Sequence, residues 1–270
     1  MRFQETSPAH ELTYSDVFLV PSSSGVGSRL DVSLAPKDGT AASIPIVSAN
    51  MNSVTGPRLA ATLARRGGLS VLPQDMHPLE VDAAIHWVKA QPIGFDAAIG
   101  LAPSDTVATA LAQLPAVAGH GIVIHDQHGE FLGVILAEKL AHALPGARLG
   151  DLLGGRLTTI DIDELDGPRA AFDLMVEAGL DFAPVMHDGK VAGTLSRTGA
   201  LRSTLYTPTL DAQGRLSVAA AVGINGDVAG KVKALAESGA DVIVIDTAHG
   251  HQDGMIRAIS AVAALDLGLP

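Results

Sequence analysis

Val242-Ile-Val-Ile-Asp246-Thr-Ala-His-Gly-His251 is the stretch whose reading decides the fold of this chain. Four β-branched residues in a row predict a strand buried on both faces, as in a parallel sheet covered by helices. Asp246 then stands where the strand ends, and in parallel α/β folds ligands bind at that end. Upstream, Asp227 is placed to cap a helix in which Val228, Val232 and Leu235 fall at i, i+4 and i+7, with Gly239 as its stop. Ser217–Val222 reads as the strand before that helix and ends at Gly223. Downstream, Asp253 is placed to cap a last helix carrying Met255, Ile259 and Val262 on one face.

A similar unit stands near the start. Ile44-Pro-Ile-Val47 leads into the loop Ser48–Gly56, and Pro57 opens a helix at a position where its missing N–H costs nothing. Leu59, Leu63 and the intervening alanines predict the apolar face of that helix. Gly67-Gly68 allows the left-handed turn that ends it, and Leu69–Leu72 follows as a strand. Between the two units, from residue 93 to residue 206, lies an internal repeat. Val123-Ile-His-Asp126 recurs as Val185-Met-His-Asp188, each followed by a glycine turn and then by Gly133-Val-Ile-Leu136 or Gly193-Thr-Leu-Ser196. Two copies about 60 residues apart do not make a solenoid. They predict a pseudo-twofold pair of small α+β modules interrupting an α/β domain.

Composition bounds the rest. The chain has 270 residues, 47% of them hydrophobic but only 3% aromatic, so its core must be built of Ala, Val, Leu and Ile. A net charge of -11 argues against a general nucleic-acid surface, although backbone N–H groups can still bind a mononucleotide phosphate. With no cysteine, the chain holds no disulfide, thiolate metal site or thiol nucleophile. Met1-Arg-Phe-Gln-Glu5 does not read as a signal peptide, and no run approaches the about 18 apolar residues of a membrane span. A cytoplasmic protein with no membrane partner is expected.

Several residues are candidates for chemistry. Asp246 can accept two ribose hydroxyls of a dinucleotide, or it can cap the following turn through backbone N–H groups. In Ser48–Gly56, Asn50 and Asn52 could bond a base edge and Met51 could pack on its flat surface; an ordinary Asn- and Ser-rich turn is the alternative. His249 and His251 form His-x-His but lack an evident third metal ligand, so they read as loop histidines bonded to backbone. Ser22-Ser-Ser-Gly-Val-Gly27 looks like a phosphate cradle but has neither the lysine nor the spacing of a P-loop, and reads as an N-terminal loop. His120, His125, His128, His142 and His187 read as surface residues of the repeat.

Together these segments resemble the IMP dehydrogenase/GMP reductase family. The resemblance is carried by Leu12-Thr-Tyr-Ser-Asp-Val-Phe-Leu-Val-Pro21, Ser48–Gly56, Gly67–Leu72 and Asp246–His251, in the right order. It implies a (β/α)8 TIM barrel with a pair of CBS modules inserted after the second strand. Residues 1–92 would be the first part of the barrel, 93–206 the CBS pair and 207–270 an incomplete continuation, leaving about half the barrel in this chain. It also implies that Asn50, Met51 and Asn52 touch the purine nucleotide and that Asp246, Thr247 and Ala248 contact the nicotinamide dinucleotide. The family's nucleophilic cysteine, which forms a thioimidate at purine C2, is expected beyond Pro270, so no catalytic residue is assigned here.

The first loop, Met51-Asn-Ser-Val-Thr-Gly56, has lost two acids usual in the dehydrogenases, and Ala49-Asn50-Met51 looks more like the reductase loop. Gln74 stands where both branches usually carry a lysine. The mixture resembles a CBS-containing actinobacterial group, for which GMP reductase with NADP is the expected activity. IMP dehydrogenase with NAD is the alternative, and a non-catalytic CBS nucleotide sensor is a second one. The resemblance further implies a monovalent cation such as potassium, a homo-tetramer or homo-octamer, and ATP or GTP as regulators at the CBS pair. Where CBS modules commonly hold a ribose with Asp, this chain has Lys139 and Gly199.

Overall fold

A computed structural model describes residues 10–154 and 158–270; the start Met1-Arg-Phe-Gln-Glu5 lies outside them. The chain forms two compact units, Met1–Ser33 and Leu34–Pro270. The first contains two single 3-10 turns, Tyr14–Asp16 and Arg29–Asp31. Thr13 starts the first turn by donating its N–H and its hydroxyl to Asp16 Oδ2, at 2.7 and 2.8 Å. Ser22–Gly27 belongs to this unit and is irregular, with Val26 N–H donating to Ser24 Oγ at 3.2 Å.

The second unit opens with β1 (Val47–Ser48), α1 (Pro57–Arg65), β2 (Leu69–Leu72) and α2 (Pro78–Lys89). Ala60, Ala61 and Ala64 form the fully buried face of α1; the predicted alanines are there, Leu63 is half-buried, and Leu59, 37% exposed, is corrected to a residue outside that face. Methyl-sized side chains let this helix lie close against the sheet. Gly67 turns the chain out of α1 at φ +86°, and a Cβ there would fall 1.9 Å from Ser43 Oγ and 2.6 Å from Thr207 O. A larger residue is excluded by both conformation and space. His77 and Glu80 form a capping box at the start of α2, with Pro78 as its first residue.

Two modules of the same topology follow. One runs β3 (Gly100–Leu101), α3 (Val107–Leu111), β4 (Gly121–His125), β5 (Phe131–Leu136), α4 (Ala137–Ala141). The other runs β6 (Ile160–Asp161), α5 (Gly167–Glu177), β7 (Phe182–His187), β8 (Lys190–Ser196), α6 (Arg197–Ser203). Each has a three-stranded sheet in which the first pair is parallel and the second antiparallel. Both hairpins shift register at matching places, Ile124/His125 and Val185/Met186. Each module has its own apolar core, one around Ile122, Ile124 and Leu140, the other around Met175, Val185 and Ala200. Asp96 exchanges backbone hydrogen bonds with Thr194, at 2.9 and 2.8 Å, so the segment leading into the first module is paired with β8 of the second.

The chain then returns with β9 (Ala219–Gly223), α7 (Val228–Ser238), β10 (Val242–Asp246) and α8 (Asp253–Ala263). As predicted, Asp227 caps α7 by accepting from Gly230 N–H at 2.8 Å, and Gly239 ends it at φ +100°. Asp253 is the first residue of α8, and Gln252 holds the cap position predicted for it. Strands β1, β2, β9 and β10 make one parallel sheet in that order. Side chains alternate across it, as strand geometry requires. Leu72, Ala220 and Val222 join the core against the helices, while Leu69, Val71, Ala219, Ala221 and Val242 meet on the other face.

β10 departs from expectation: only Val242 is buried, and Ile243, Val244 and Ile245 are half-buried. It is the edge strand, and among the described residues no further strand pairs with it. Its outer side meets the segment after α8, where Ile243 N–H donates to Pro270 O at 3.1 Å. The architecture is an α/β fold with a parallel sheet, of the kind found in part of a TIM barrel.

Candidate functional site

All four strands are parallel, so the residues following each strand gather at one end of the sheet. The loop after β1 is pinned from within: Thr55, 3% exposed, donates its hydroxyl toward Ser48 Oγ and Ala49 O, and its N–H bonds Met51 O at 2.9 Å. That anchoring presents Asn50, whose Nδ2 donates to Asp246 Oδ2 at 2.7 Å. From just beyond β2, Gln74 Nε2 donates to the same oxygen at 3.1 Å. Gly223, at the end of β9, is in register with Asp246. A Cβ on Gly223 would lie 2.5 Å from Gln74 Oε1, so this glycine leaves the space that Gln74 occupies.

Asp246 therefore accepts two side-chain amides, not the backbone N–H groups of a turn cap. Both bonds fall on Oδ2, and Oδ1 makes none among the described residues. The half-buried carboxylate keeps an accepting oxygen for a hydroxyl donor, the chemistry that binding a ribose requires. Thr247 Oγ1 accepts from Gln252 Nε2 at 2.6 Å, which ties the loop after β10 to the start of α8. Ala248 is exposed beside it. Met51, 55% exposed, and Asn52 lie on the β1 loop without contributing to the Asp246 cluster.

The structure thus brings Asn50 and Asp246 together across 196 positions of sequence. Gln74 belongs with them although it was absent from the candidate residues; its signal was its place just after a strand, where a lysine was expected. Gly223 carried a weaker signal as a glycine ending a strand. His249 and His251 are exposed and stack loosely, with ring centroids 6.2 Å apart. His120, His128, His142 and His187 are exposed as expected. His125 is not: it is half-buried, and its Nδ1 is buried with no hydrogen-bond partner among the described residues. Lys139 donates to Leu152 O at 2.6 Å, so its charge is spent within its own module. No helix among the described residues is long and apolar enough to cross a membrane.

The chain is 45% identical, over its whole length, to the GMP reductases of Mycobacterium tuberculosis and Mycobacterium bovis, covering 56% of each. It is 30% identical over 93% of its length to the inosine-5′-monophosphate dehydrogenase of Halalkalibacterium halodurans, of which it covers 53%. The chain thus spans about half the length of the curated relatives it matches. Among solved structures, a cysteine-to-alanine variant of Trypanosoma brucei GMP reductase in complex with guanosine 5′-monophosphate superposes with a TM-score of 0.58 at 27% identity, over 96% of this chain and 57% of that one. Trypanosoma brucei GMP reductase in complex with guanosine 5′-triphosphate gives 0.57 at 27% identity, over 96% and 65%. With residues 11–266 matching the IMP dehydrogenase / GMP reductase domain, a parallel sheet of the right kind and an acceptor carboxylate at its C-terminal end, the chain belongs to the IMP dehydrogenase/GMP reductase family.

Proposed function

We propose that this chain is the nucleotide- and cofactor-binding part of a GMP reductase. GMP would lose its C2 amino group as ammonia and gain hydride there, giving IMP, while NADPH becomes NADP. The observation that carries the reading is 45% identity over the whole chain to mycobacterial GMP reductases, against 30% to an IMP dehydrogenase. Asp246 would accept ribose hydroxyls of the dinucleotide through its unengaged oxygen, with Thr247 and Ala248 flanking it. The bound dinucleotide would supply the reducing equivalents. Asn50 and Gln74 fix the carboxylate before the ligand arrives, which lowers the ordering cost of binding. Asn50, Met51 and Asn52 would meet the purine nucleotide from the neighbouring loop. The thiol nucleophile of this chemistry is assigned to no residue here, because the chain has no cysteine.

The same reading takes residues 1–92 and 207–270 as barrel segments and 93–206 as a CBS pair. The repeated topology of the two modules supports that division. ATP or GTP would bind the pair and regulate a cytoplasmic homo-tetramer or homo-octamer. The test is turnover by the complete gene product, followed by NADPH absorbance with GMP as substrate. Consumption of NADPH with formation of IMP is the expected result. No reaction with GMP and NADPH, together with xanthosine monophosphate formed from IMP and NAD, would replace the reductase by the dehydrogenase. Asp246→Asn should weaken NADPH binding by about tenfold, the loss of a charged hydrogen-bond acceptor.

A further inference from the structure

Away from the Asp246 cluster, α1 ends against the second module in a strongly basic seam. Two adjoining cavities lie there, of about 40 and 230 Å3. Arg65, Arg66 and Arg202 line the smaller one together with Thr62 and Ser203, and Arg58 lines the larger. Among the described residues Asp96 is the only carboxylate on either wall. Four guanidinium groups thus face one acid in a protein whose net charge is -11.

Arg65 is satisfied only in part. Its side chain is 9% exposed; Nε donates to Pro92 O at 2.7 Å and Nη1 to Asp96 Oδ1 at 3.2 Å. Its Nη2 is buried and has no hydrogen-bond partner among the described residues. A buried donor on a charged group left unpaired is costly, because it has lost water and gained no acceptor. Arg66 makes no side-chain hydrogen bond among the described residues. Burial lowers its pKa, the neighbouring Arg202 lowers it further, and Asp96 and Tyr206 oppose that. Arg65, Arg66 and Arg202 all sit at helix C-terminal turns, whose carbonyl ends offset part of the charge. That offset gives Nη2 no acceptor.

We propose that this seam is a binding site for a phosphate-type oxyanion, held by the guanidinium groups of Arg65, Arg66 and Arg202. A tetrahedral oxyanion supplies several acceptors at once and matches the planar donor fork of arginine. It would neutralise the Arg66–Arg202 repulsion and set a negative charge beside Arg65. Because α1 packs on the parallel sheet and Arg202 lies on α6 of the second module, the ion ties those two parts together. The larger cavity leaves room for an organic group attached to the phosphate. The ion is therefore free phosphate or the phosphoryl end of a nucleotide, and the experiment separates them.

Inorganic phosphate, ATP and GTP are titrated calorimetrically onto the 270-residue chain, its Arg66→Gln and Arg202→Gln variants and, as a control at the other site, Asp246→Asn. Ionic strength is held constant with chloride, since exposed charge pairs are screened by salt. Saturable binding of inorganic phosphate that either arginine variant weakens by at least about tenfold assigns the site to the free ion. The same dependence for ATP or GTP alone assigns it to a phosphoryl tail. In both cases Asp246→Asn leaves the binding unchanged. The proposal is overturned if no ligand binds saturably, if the arginine variants bind as well as the parent, or if only Asp246→Asn abolishes binding.

Discussion

Lys89→Met should unfold the parallel-sheet core of this protein far more readily than its chemistry suggests. Lys89 ends α2 and is 8% exposed. Its Nζ donates to Asp211 Oδ2 at 2.8 Å and to Asp241 Oδ1 and Oδ2 at 2.8 and 2.6 Å. Asp241 Oδ2 also accepts Val218 N–H at 2.7 Å, just before β9. The lysine thus ties α2 to segments more than a hundred residues later, across both inserted modules. Methionine keeps the volume but leaves two carboxylates facing each other with no cation between them. Removing one partner of a buried pair costs about 3–5 kcal/mol. Arg215 still reaches Asp211, at 2.9 Å, and Asp241 retains some solvent, so the lower end, about 3 kcal/mol, is expected here.

Trp87, the only tryptophan, packs against this core from α2, so its fluorescence in urea reports this unfolding step. The midpoint should fall by about 1 M or more. Adding Asp211→Asn and Asp241→Asn to Lys89→Met should restore much of the loss. A drop below about 1 kcal/mol in the single variant would refute the reasoning. The network also has an acid signature. Burial alone would raise the Asp211 carboxyl, but the Lys89 hydrogen bond, the Arg215 N–H, the Lys89 charge and the Arg215 side chain together bring it down to about 2. A depressed folded-state value gives stability that is present above the ordinary pKa of 3.8 and lost as pH falls through about 2. Discounted for solvent at its rim, this is worth about 1–2 kcal/mol. Lys89→Met should flatten that part of the pH profile.

Gly223→Ala should leave the fold nearly as stable, since its Cβ meets only the movable end of Gln74. It should displace the amide from Asp246 and weaken NADPH binding by about two- to tenfold, the worth of one hydrogen bond, as should Gln74→Leu. Calorimetric titration that finds full NADPH affinity in both variants would remove Gln74 from the site. In the second module, His187 Nδ1–H donates to Asp163 Oδ2 at 2.9 Å. That hydrogen bond and the Asp163 charge, with Asp188 beside them, raise the His187 pKa against a small opposing effect of burial. A raised value means that the contact stabilises fully at pH below the ordinary histidine pKa and is lost as pH rises through the folded one. Proton NMR titration should place the His187 midpoint above that of a free histidine, and Asp163→Asn should bring it back down.

How much of this was legible in the sequence depended on whether the cause was local. The strand Leu69–Leu72, the Asp227 cap, the Gly67 and Gly239 stops and the two copies of the module topology follow from φ/ψ preference and side-chain period, properties of a few adjacent residues. Asp246 was identifiable as a strand-end acid for the same reason. Burial was not local: four β-branched residues predicted a strand covered on both faces, but β10 lies at a sheet edge, and Leu59 of α1 is left exposed while the alanines beside it are buried. Nor could spacing alone show that Asn50 and Gln74 share one oxygen of Asp246, or that Lys89 joins Asp211 and Asp241. Each of those contacts spans more than a hundred residues, so only parallel pairing of β1, β2, β9 and β10 around the inserted modules brings the partners within hydrogen-bond reach.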